Sequence, residues 1–179
     1  MGLQTATLAG GCFWCLQSAF SRLQGVEHAT AGYMGGTLEQ PDYARVCTGE
    51  TGHAEVVQVR FDAHVLRFDE LLEVFFALHD PTTLNRQGND VGSQYRSAVF
   101  FHTPEQAAQA HDMIAQLTHA RLFVDPIVTQ VCPATTFWPA EDYHQGYAER
   151  NPTQAYCRFV VAPKLATLRA RFAARLKPS

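Results

Sequence analysis

The chain has 179 residues, of which 46% are hydrophobic and 11% aromatic, and this is enough to bury a sizeable core. Its 14 Lys and Arg against 17 Asp and Glu give a formal net charge of -3, which excludes a general positive field for nucleic acid or an anionic membrane. No apolar run approaches the roughly 18 residues of a membrane span, and no charged and apolar leader opens the chain. We therefore expect one cytoplasmic domain over residues 1–179, with a monomer as the expected state.

The first predicted elements are a strand over residues 5–9 and a helix that follows a Gly10-Gly11 turn. Apolar residues three and four positions apart predict one buried helical face, and Gly25 stands where a C-terminal cap belongs. Cys12 therefore lies at the helix N-terminus, where free N–H groups and the helix dipole favour a thiolate, with pKa values lowered to roughly 3.5 to 7.5. The residues of the buried face are Phe13, Leu16, Phe20 and Leu23.

The rest of the chain alternates predicted strands, loops and helices. The strands are expected at residues 28–36, 55–61, 97–101, 127–131 and 156–162, the helices at 69–77, 103–117 and 164–177, and the loops at 38–52, 81–94 and 133–139. We interpret the basic face of the closing helix as a solvated surface. The alternation predicts one α/β or α+β layer structure with a mixed sheet.

Two of the five cysteines, Cys12 and Cys15, are three residues apart. A Cys-x-x-Cys pair in an intracellular chain is typical of a redox or metal site. A structural zinc site needs a second ligand pair, and no other cysteine has a Cys or His two to five positions away, so the redox interpretation is favoured. The other three cysteines are interpreted as structural; these are Cys47, Cys132 and Cys157.

Five motifs, in order along nearly the whole length, show that the chain resembles peptide methionine sulfoxide reductases of the A type. The resemblance implies an α+β fold, a two-layer sandwich whose mixed sheet has a ferredoxin-like plait core with added loops and helices. The motifs are Gly11-Cys12-Phe13-Trp14; Tyr43 with Val46-Cys47-Thr48-Gly49 and Thr51-Gly52-His53-Ala54-Glu55; Gly88-Asn89-Asp90 with Gly92-Ser93-Gln94-Tyr95-Arg96-Ser97; Pro139-Ala140-Glu141-Asp142-Tyr143-His144-Gln145; and Asn151-Pro152.

The resemblance implies that Cys12 attacks the sulfur of methionine S-oxide while Glu55 gives a proton to the departing oxygen. The residue types suit this chemistry, because a sulfoxide oxygen leaves poorly unless it is protonated and burial can raise the pKa of a carboxyl. The resemblance also places Tyr43, Asp90 and Tyr95 around the site, where they hydrogen-bond the sulfoxide oxygen or a water in its place. Phenol hydroxyls donate without carrying charge.

The aromatic residues after the nucleophile are expected to bind the substrate. Phe13 and Trp14 would form the wall that takes the S-methyl group while the hydroxyls hold the oxygen, and such a two-point fit selects one epimer. The resemblance implies the S epimer, free or in a polypeptide. Tyr143 and His144 are expected at the site rim, in packing or peptide contact.

The oxidised Cys12 must be reduced again, because attack leaves it as a sulfenic acid. Many members of the family resolve it with a cysteine in a C-terminal tail, whereas this chain ends in Lys177-Pro178-Ser179 and has Cys15 where the family commonly has glycine. We hypothesise that Cys15 forms a disulfide with Cys12 and that thioredoxin, or dithiothreitol in vitro, is the reductant. If the Cys15 side chain points into the core instead, thioredoxin or a small thiol must reduce Cys12 directly. No bound cofactor or metal is expected.

Two other functions are consistent with parts of the pattern. A thioredoxin-like thiol-disulfide oxidoreductase also has a strand, a Cys-x-x-Cys pair and a helix in this order, but it does not need Glu55 or the two tyrosines. A non-catalytic module that binds methionine or its oxide through Phe13 and Trp14 would show no turnover with excess dithiothreitol.

Overall fold

The structure, a computed structural model, describes residues 2–178 and contains a mixed sheet with helices. The strands are β1 (Leu3–Gly10), β2 (Val26–Met34), β3 (Ala54–Asp62), β4 (Arg86–Gln87), β5 (Asp90–Val91), β6 (Ser97–Phe101), β7 (Gln130–Pro133) and β8 (Trp138–Pro139). The helices are α1 (Phe13–Phe20), α2 (Tyr43–Val46), α3 (Phe68–Ala77), α4 (Pro104–His119), α5 (Tyr147–Arg150) and α6 (Ala162–Phe172). Between residues 2 and 178, no helix is both long and apolar enough to cross a membrane.

The main sheet of the described residues has the strand order β7-β6-β1-β3-β2-β8. Its central strands pair antiparallel, whereas β7 adds to β6 in parallel. Taken along the chain, β1, α1, β2, β3, α3 and β6 form the βαββαβ unit of a ferredoxin-like plait. The predicted α+β fold with a mixed sheet is confirmed.

The two faces of the sheet are covered differently. Helices α1, α3, α4 and α6 bury the larger core on one face, where Phe20, Leu72 and Phe75 are completely inaccessible to solvent. A smaller cluster that includes Met34 and Phe100 lies on the opposite face beneath the segment that follows β7. The helical layer therefore holds α1 against β1 and β3, the two strands that carry the candidate site.

The strand predicted over residues 156–162 is wrong. The chain forms a turn of π-helix there, Cys157–Val161, which continues directly into α6. Cys157 and Val161, four positions apart, are buried, while Phe159 between them is 71% exposed, so burial follows a helical period. The β-branched and aromatic residues of this segment favour a strand locally, but packing against α1 and α5 decides its conformation.

Other differences concern boundaries. The strand predicted at residues 127–131 begins later, at Gln130, because the Val128 N–H donates to the carbonyl of Pro81 instead of to the sheet. Helix α4 begins at the predicted Thr103 cap, whose hydroxyl accepts the Gln106 N–H, and ends two residues later than predicted. The three predicted loops contain α2, the β4–β5 hairpin with the 3-10 turn Ser93–Tyr95, and β8; the closing helix α6 ends at Phe172 and is followed by a 3-10 turn, Ala173–Arg175.

Candidate active site

A tight turn between β1 and α1 places Cys12 at the N-cap of the helix, with φ -61° and ψ 128°. Gly11 has φ +93°, and a Cβ there would lie 2.7 Å from Gln87 Cγ. Glycine therefore provides both the turn and the close approach of the β4–β5 hairpin. Cys12 is only 8% exposed, so its thiol lies in a largely enclosed site.

Glu55 lies on β3 beside the start of α1 and is 1% exposed. Its Oε1 accepts a hydrogen bond of 3.1 Å from the N–H of Phe13, the residue that follows Cys12. Oε2 is buried and has no hydrogen-bond partner among residues 2–178. The carboxyl is thus fixed at one oxygen next to Cys12, and its other oxygen is free to carry a proton.

Burial raises the pKa of Glu55 to about 8; the Phe13 N–H opposes this shift and the charge of Asp90 adds to it. A carboxyl with this pKa is mostly protonated at pH 7. The site therefore holds a neutral carboxylic acid, the form that can give a proton to an oxygen leaving group.

The prediction of a lowered pKa for Cys12 is wrong. Burial raises the pKa of the thiol well above its ordinary value, and the charges of Glu55 and Cys15 raise it further, while the Trp14 N–H lowers it. The N–H groups of an eight-residue helix do not outweigh the loss of solvent around the sulfur. The resting form is the thiol, next to a protonated carboxyl.

The structure brings Tyr43, Asp90 and Tyr95 to the same site from three separate elements. Tyr43 begins α2, Asp90 lies on β5, and Tyr95 ends the 3-10 turn Ser93–Tyr95. Burial, and then the charge of Glu55, raises the pKa of each tyrosine, so both hydroxyls keep their protons and can donate. Asp90 accepts the hydroxyl of Tyr156, whose ring meets Trp14 edge-on, so Asp90 lies beside the same site.

Phe13 and Trp14 have different surroundings. Phe13 is 1% exposed, and its ring packs 5.7 Å from Tyr33 and 6.4 Å from Tyr43 between ring centroids. Trp14 is half-buried and stacks on Tyr147 at 3.8 Å. Of the two residues predicted to bind the substrate, Trp14 therefore offers the larger accessible surface, whereas Phe13 belongs to the buried core.

His144 was predicted at the rim in a packing role, and it is in fact buried, at 1% exposure. Its Nδ1 accepts a 3.0 Å hydrogen bond from the indole Nε1 of Trp14. Because Nδ1 is the acceptor, the ring proton is on Nε2, and burial lowers the pKa of His144 so that the ring stays neutral. His144 thus fixes the rotation of the Trp14 side chain.

The sequence analysis did not identify Tyr156 as a site residue. It placed Tyr156 in the strand predicted over residues 156–162, which does not form. Its hydroxyl donates to Asp90 Oδ2 at 2.6 Å, and its ring meets Trp14 edge-on, with centroids 5.8 Å apart. It also missed the carboxylate of Glu141, which accepts the N–H of Tyr43 at 2.9 Å. The only sequence signal for Glu141 was the motif that it shares with His144. That motif does not indicate which distant residues these side chains contact.

Cys15 shares the first turn of α1 with Cys12, and its N–H donates to the Cys12 carbonyl at 3.2 Å. The Cys15 side chain is 2% exposed and packs in a cluster with Ala148, Cys157 and Val161. Burial raises the pKa of Cys15, whereas Lys164 and the hydroxyl of Tyr156 lower it. Throughout residues 2–178 the cysteines are free thiols, so the structure describes the reduced protein.

Cys157 packs in the cluster with Cys15, whereas Cys47 and Cys132 lie elsewhere. Cys47 is exposed and directly follows α2. Cys132 lies on β7, where the charge of Arg96 partly offsets the rise of its pKa on burial. Within the described part of the chain, no group of three or more His, Cys, Asp or Glu residues is arranged to hold a metal ion.

Comparisons with known proteins agree on one family. The family model described as "Peptide methionine sulfoxide reductase" matches residues 4–176. Curated proteins named "Peptide methionine sulfoxide reductase MsrA" include one from Ralstonia nicotianae, 55% identical over 98% of this chain and 94% of its own length. Another, from Polynucleobacter asymbioticus, is 51% identical over 98% of this chain and 93% of its own. The crystal structure of Mxr1 from Saccharomyces cerevisiae in reduced form is similar, with a TM-score of 0.79 and 34% identity over 87% of this chain and 90% of that one.

Proposed function

The chain belongs to the peptide methionine sulfoxide reductase family, and from this premise we propose that it reduces methionine (S)-S-oxide, free or in proteins, to methionine. The observation that carries the proposal is the pair formed at the start of α1, a buried thiol at Cys12 beside a neutral carboxyl at Glu55. We also propose that the whole chain is one reductase domain. The family match over residues 4–176 supports this.

In the first step, the Cys12 sulfur attacks the sulfoxide sulfur and Glu55 donates its proton to the sulfoxide oxygen. The Cys12 thiol proton is lost to Glu55, which is thereby ready for another cycle. The attack forms a bond between the Cys12 sulfur and the substrate sulfur. The hydroxyl then moves from the substrate sulfur to the Cys12 sulfur as this sulfur–sulfur bond and the original sulfur–oxygen bond break, so methionine leaves and Cys12 becomes a sulfenic acid that carries the oxygen. One thiol is oxidised by two electrons and one sulfoxide is reduced by two.

The two tyrosines act on the sulfoxide oxygen. The raised pKa of each phenol keeps its proton in place at neutral pH, so Tyr43 and Tyr95 donate hydrogen bonds as negative charge develops on that oxygen. Trp14, fixed by His144 and Tyr147, contacts the S-methyl group. Hydrogen bonds to the oxygen and an apolar contact to the methyl group together distinguish the two epimers at sulfur.

Recycling follows through Cys15. Its thiol condenses with the Cys12 sulfenic acid, which forms a Cys12–Cys15 disulfide and releases water, and a dithiol such as thioredoxin then reduces this disulfide. The two cysteines occupy the N-cap and the third position of α1, one helical turn apart. The bond requires Cys15 to rotate out of its cluster with Cys157.

The experiment that tests the proposed function follows each epimer of methionine sulfoxide by chiral analysis, with dithiothreitol as the reductant. We expect the parent protein to consume only the S epimer and the Glu55→Gln variant to consume it far more slowly. A disulfide exchanger would consume neither epimer and would keep its dithiol exchange in Glu55→Gln. A protein that only binds methionine or its oxide would show binding without turnover.

A further inference from the structure

Glu141 lies between β8 and the turn Asp142–His144, outside the set of residues that act on the sulfoxide. Its two carboxyl oxygens are used separately. Oε1 accepts the hydroxyl of Tyr33 at 2.8 Å, and Oε2 accepts the backbone N–H of Tyr43 at 2.9 Å. One side chain therefore joins β2, at Tyr33, to the first residue of α2.

The Glu141 carboxylate is ionised although it is half-buried. Burial acts to raise the pKa of Glu141, but hydrogen bonds from the N–H groups of Tyr43 and of Glu141 itself and from the Tyr33 hydroxyl lower it overall. Hydrogen bonds to a charged acceptor are the strong ones. The contacts of Glu141 therefore hold Tyr33 and Tyr43 more firmly than two neutral bonds would.

Both tyrosines pack against residues of the candidate active site. Tyr33 is completely buried, and its ring lies under Phe13, with centroids 5.7 Å apart. The Tyr43 ring lies between Phe13, at 6.4 Å, and His144, at 4.4 Å. A shift of the Tyr43 backbone would therefore move its hydroxyl relative to Glu55 and to the sulfoxide oxygen.

Helix α2 is too short to fix Tyr43 by itself. It spans four residues, Tyr43–Val46, and the side chain of its cap, Asp42, is bonded to the N–H of Arg45. The first N–H groups of any helix have no partner within the helix. In α2 the first of them, the N–H of Tyr43, donates to Glu141. Val46 anchors this short turn in the core, and Glu141 fixes the N–H of its first residue.

We propose that Glu141 is a positioning residue for the reduction of the sulfoxide and that it acts through Tyr43 rather than on the substrate. This inference rests on the proposed function. In the transition state the Tyr43 hydroxyl strengthens its bond to the oxygen, and a bond of this kind depends on placement within tenths of an ångström. The carboxylate of Glu141 supplies that placement.

The test is a double-mutant cycle between Glu141→Gln and Tyr43→Phe, with kcat and KM measured for the S epimer in dithiothreitol. Gln keeps the size of the side chain but carries no charge and has only one oxygen that can accept, so it weakens the contacts that hold Tyr33 and Tyr43. We expect Glu141→Gln to lower kcat about 10-fold with KM changed less than about 2-fold, because the lost interaction belongs to the transition state. In the Tyr43→Phe background the same change should cost less than about 2-fold.

The inference is overturned if the two losses multiply, since Glu141 would then act independently of the Tyr43 hydroxyl. It is also overturned if Glu141→Gln raises KM and leaves kcat unchanged. Glu39→Gln, an exposed carboxyl before α2, is the matched control and should leave both constants unchanged. If the parent protein itself consumes no sulfoxide, the proposed function fails; an active parent with an additive cycle removes only the role of Glu141.

Discussion

Cys12 and Cys15 occupy the same turn of α1 but lie in different surroundings. Cys12 faces Glu55, Asp90 and Tyr95, groups that hold protons or charge. Cys15 packs among Ala148, Cys157 and Val161 in a cluster that is mostly apolar. One helical turn therefore separates the thiol that we propose as the nucleophile from the thiol that we propose for recycling. The following predictions test this division, beginning with the largest effect.

Replacing the nucleophile should have the largest effect. Cys12→Ser should lower kcat/KM for the S epimer by at least about 1,000-fold with any reductant, because a hydroxyl cannot supply the electron pair that reduces the sulfoxide. Turnover of the S epimer in excess dithiothreitol measures this. Cys132→Ser, on β7, is the control and should keep the parent rate. Substantial activity in Cys12→Ser would transfer the chemistry to another thiol.

Removing the acid should have the next largest effect. Glu55→Gln keeps the hydrogen bond from Phe13 but has no proton to give, so the rate of methionine formation should fall roughly 100- to 10,000-fold. Deprotonation of Cys12 raises the rate over the same pH range, so the informative quantity is the ratio of the single-turnover rates of the parent and Glu55→Gln, in which the contribution of Cys12 cancels. This ratio should fall about tenfold per pH unit above the Glu55 pKa of about 8. A ratio that stays constant through pH 9 would remove Glu55 as the acid.

The same substitution should stabilise the protein. The pKa of Glu55 is about 8 in the folded chain against an ordinary 4.5, so the carboxyl favours folding fully below about pH 4.5 and this contribution is lost as the pH rises to about 8. At pH 7 the loss of unfolding free energy is on the order of 3 kcal/mol, because each pH unit between the unfolded pKa and pH 7 contributes about 1.36 kcal/mol. In urea unfolding, Glu55→Gln should raise the free energy of unfolding by most of this amount at pH 7 and by little at pH 4. Equal stability of the two proteins at both pH values would contradict a buried neutral carboxyl.

Removing the second thiol should have the smallest effect on the chemistry. Cys15→Ser should keep turnover with dithiothreitol within about 3-fold, because a small dithiol reduces the Cys12 sulfenic acid directly. With thioredoxin as the reductant, the rate should fall about 10-fold. Cys157→Ser, in the same cluster, provides the matched control, and its thioredoxin-supported rate should stay near that of the parent. Loss of that rate in Cys157→Ser alone would assign the recycling role to Cys157.

The elements that form the sheet could be predicted because their patterns are local. Val57, Val59 and Phe61 alternate with polar residues, and a strand follows from that alternation alone. Helix α4 follows from the Thr103 cap and the proline after it. The order of the strands in the sheet came from the resemblance to a family, because no periodicity states which strand lies beside which.

The parts that could not be predicted depend on contacts between distant residues. Tyr156 meets Asp90, 66 positions away, and the segment after it becomes helical because of what it packs against. The pKa of Cys12 was predicted with the wrong direction because burial and Glu55, 43 positions along the chain, outweigh the helix N-terminus. The contact between Glu141 and Tyr43 could not be predicted for the same reason, because the two residues are 98 positions apart.

The central claim is that Cys12 takes the oxygen from the sulfoxide while Glu55 supplies the proton. The most direct test is a single turnover of Cys15→Ser without reductant, in which methionine is quantified and sulfenic acid is trapped with dimedone before peptide mass analysis. The account predicts one methionine for each protein chain and an adduct on the peptide that contains Cys12. Methionine formed with the adduct on Cys47 or Cys157, or with no adduct at all, would contradict it.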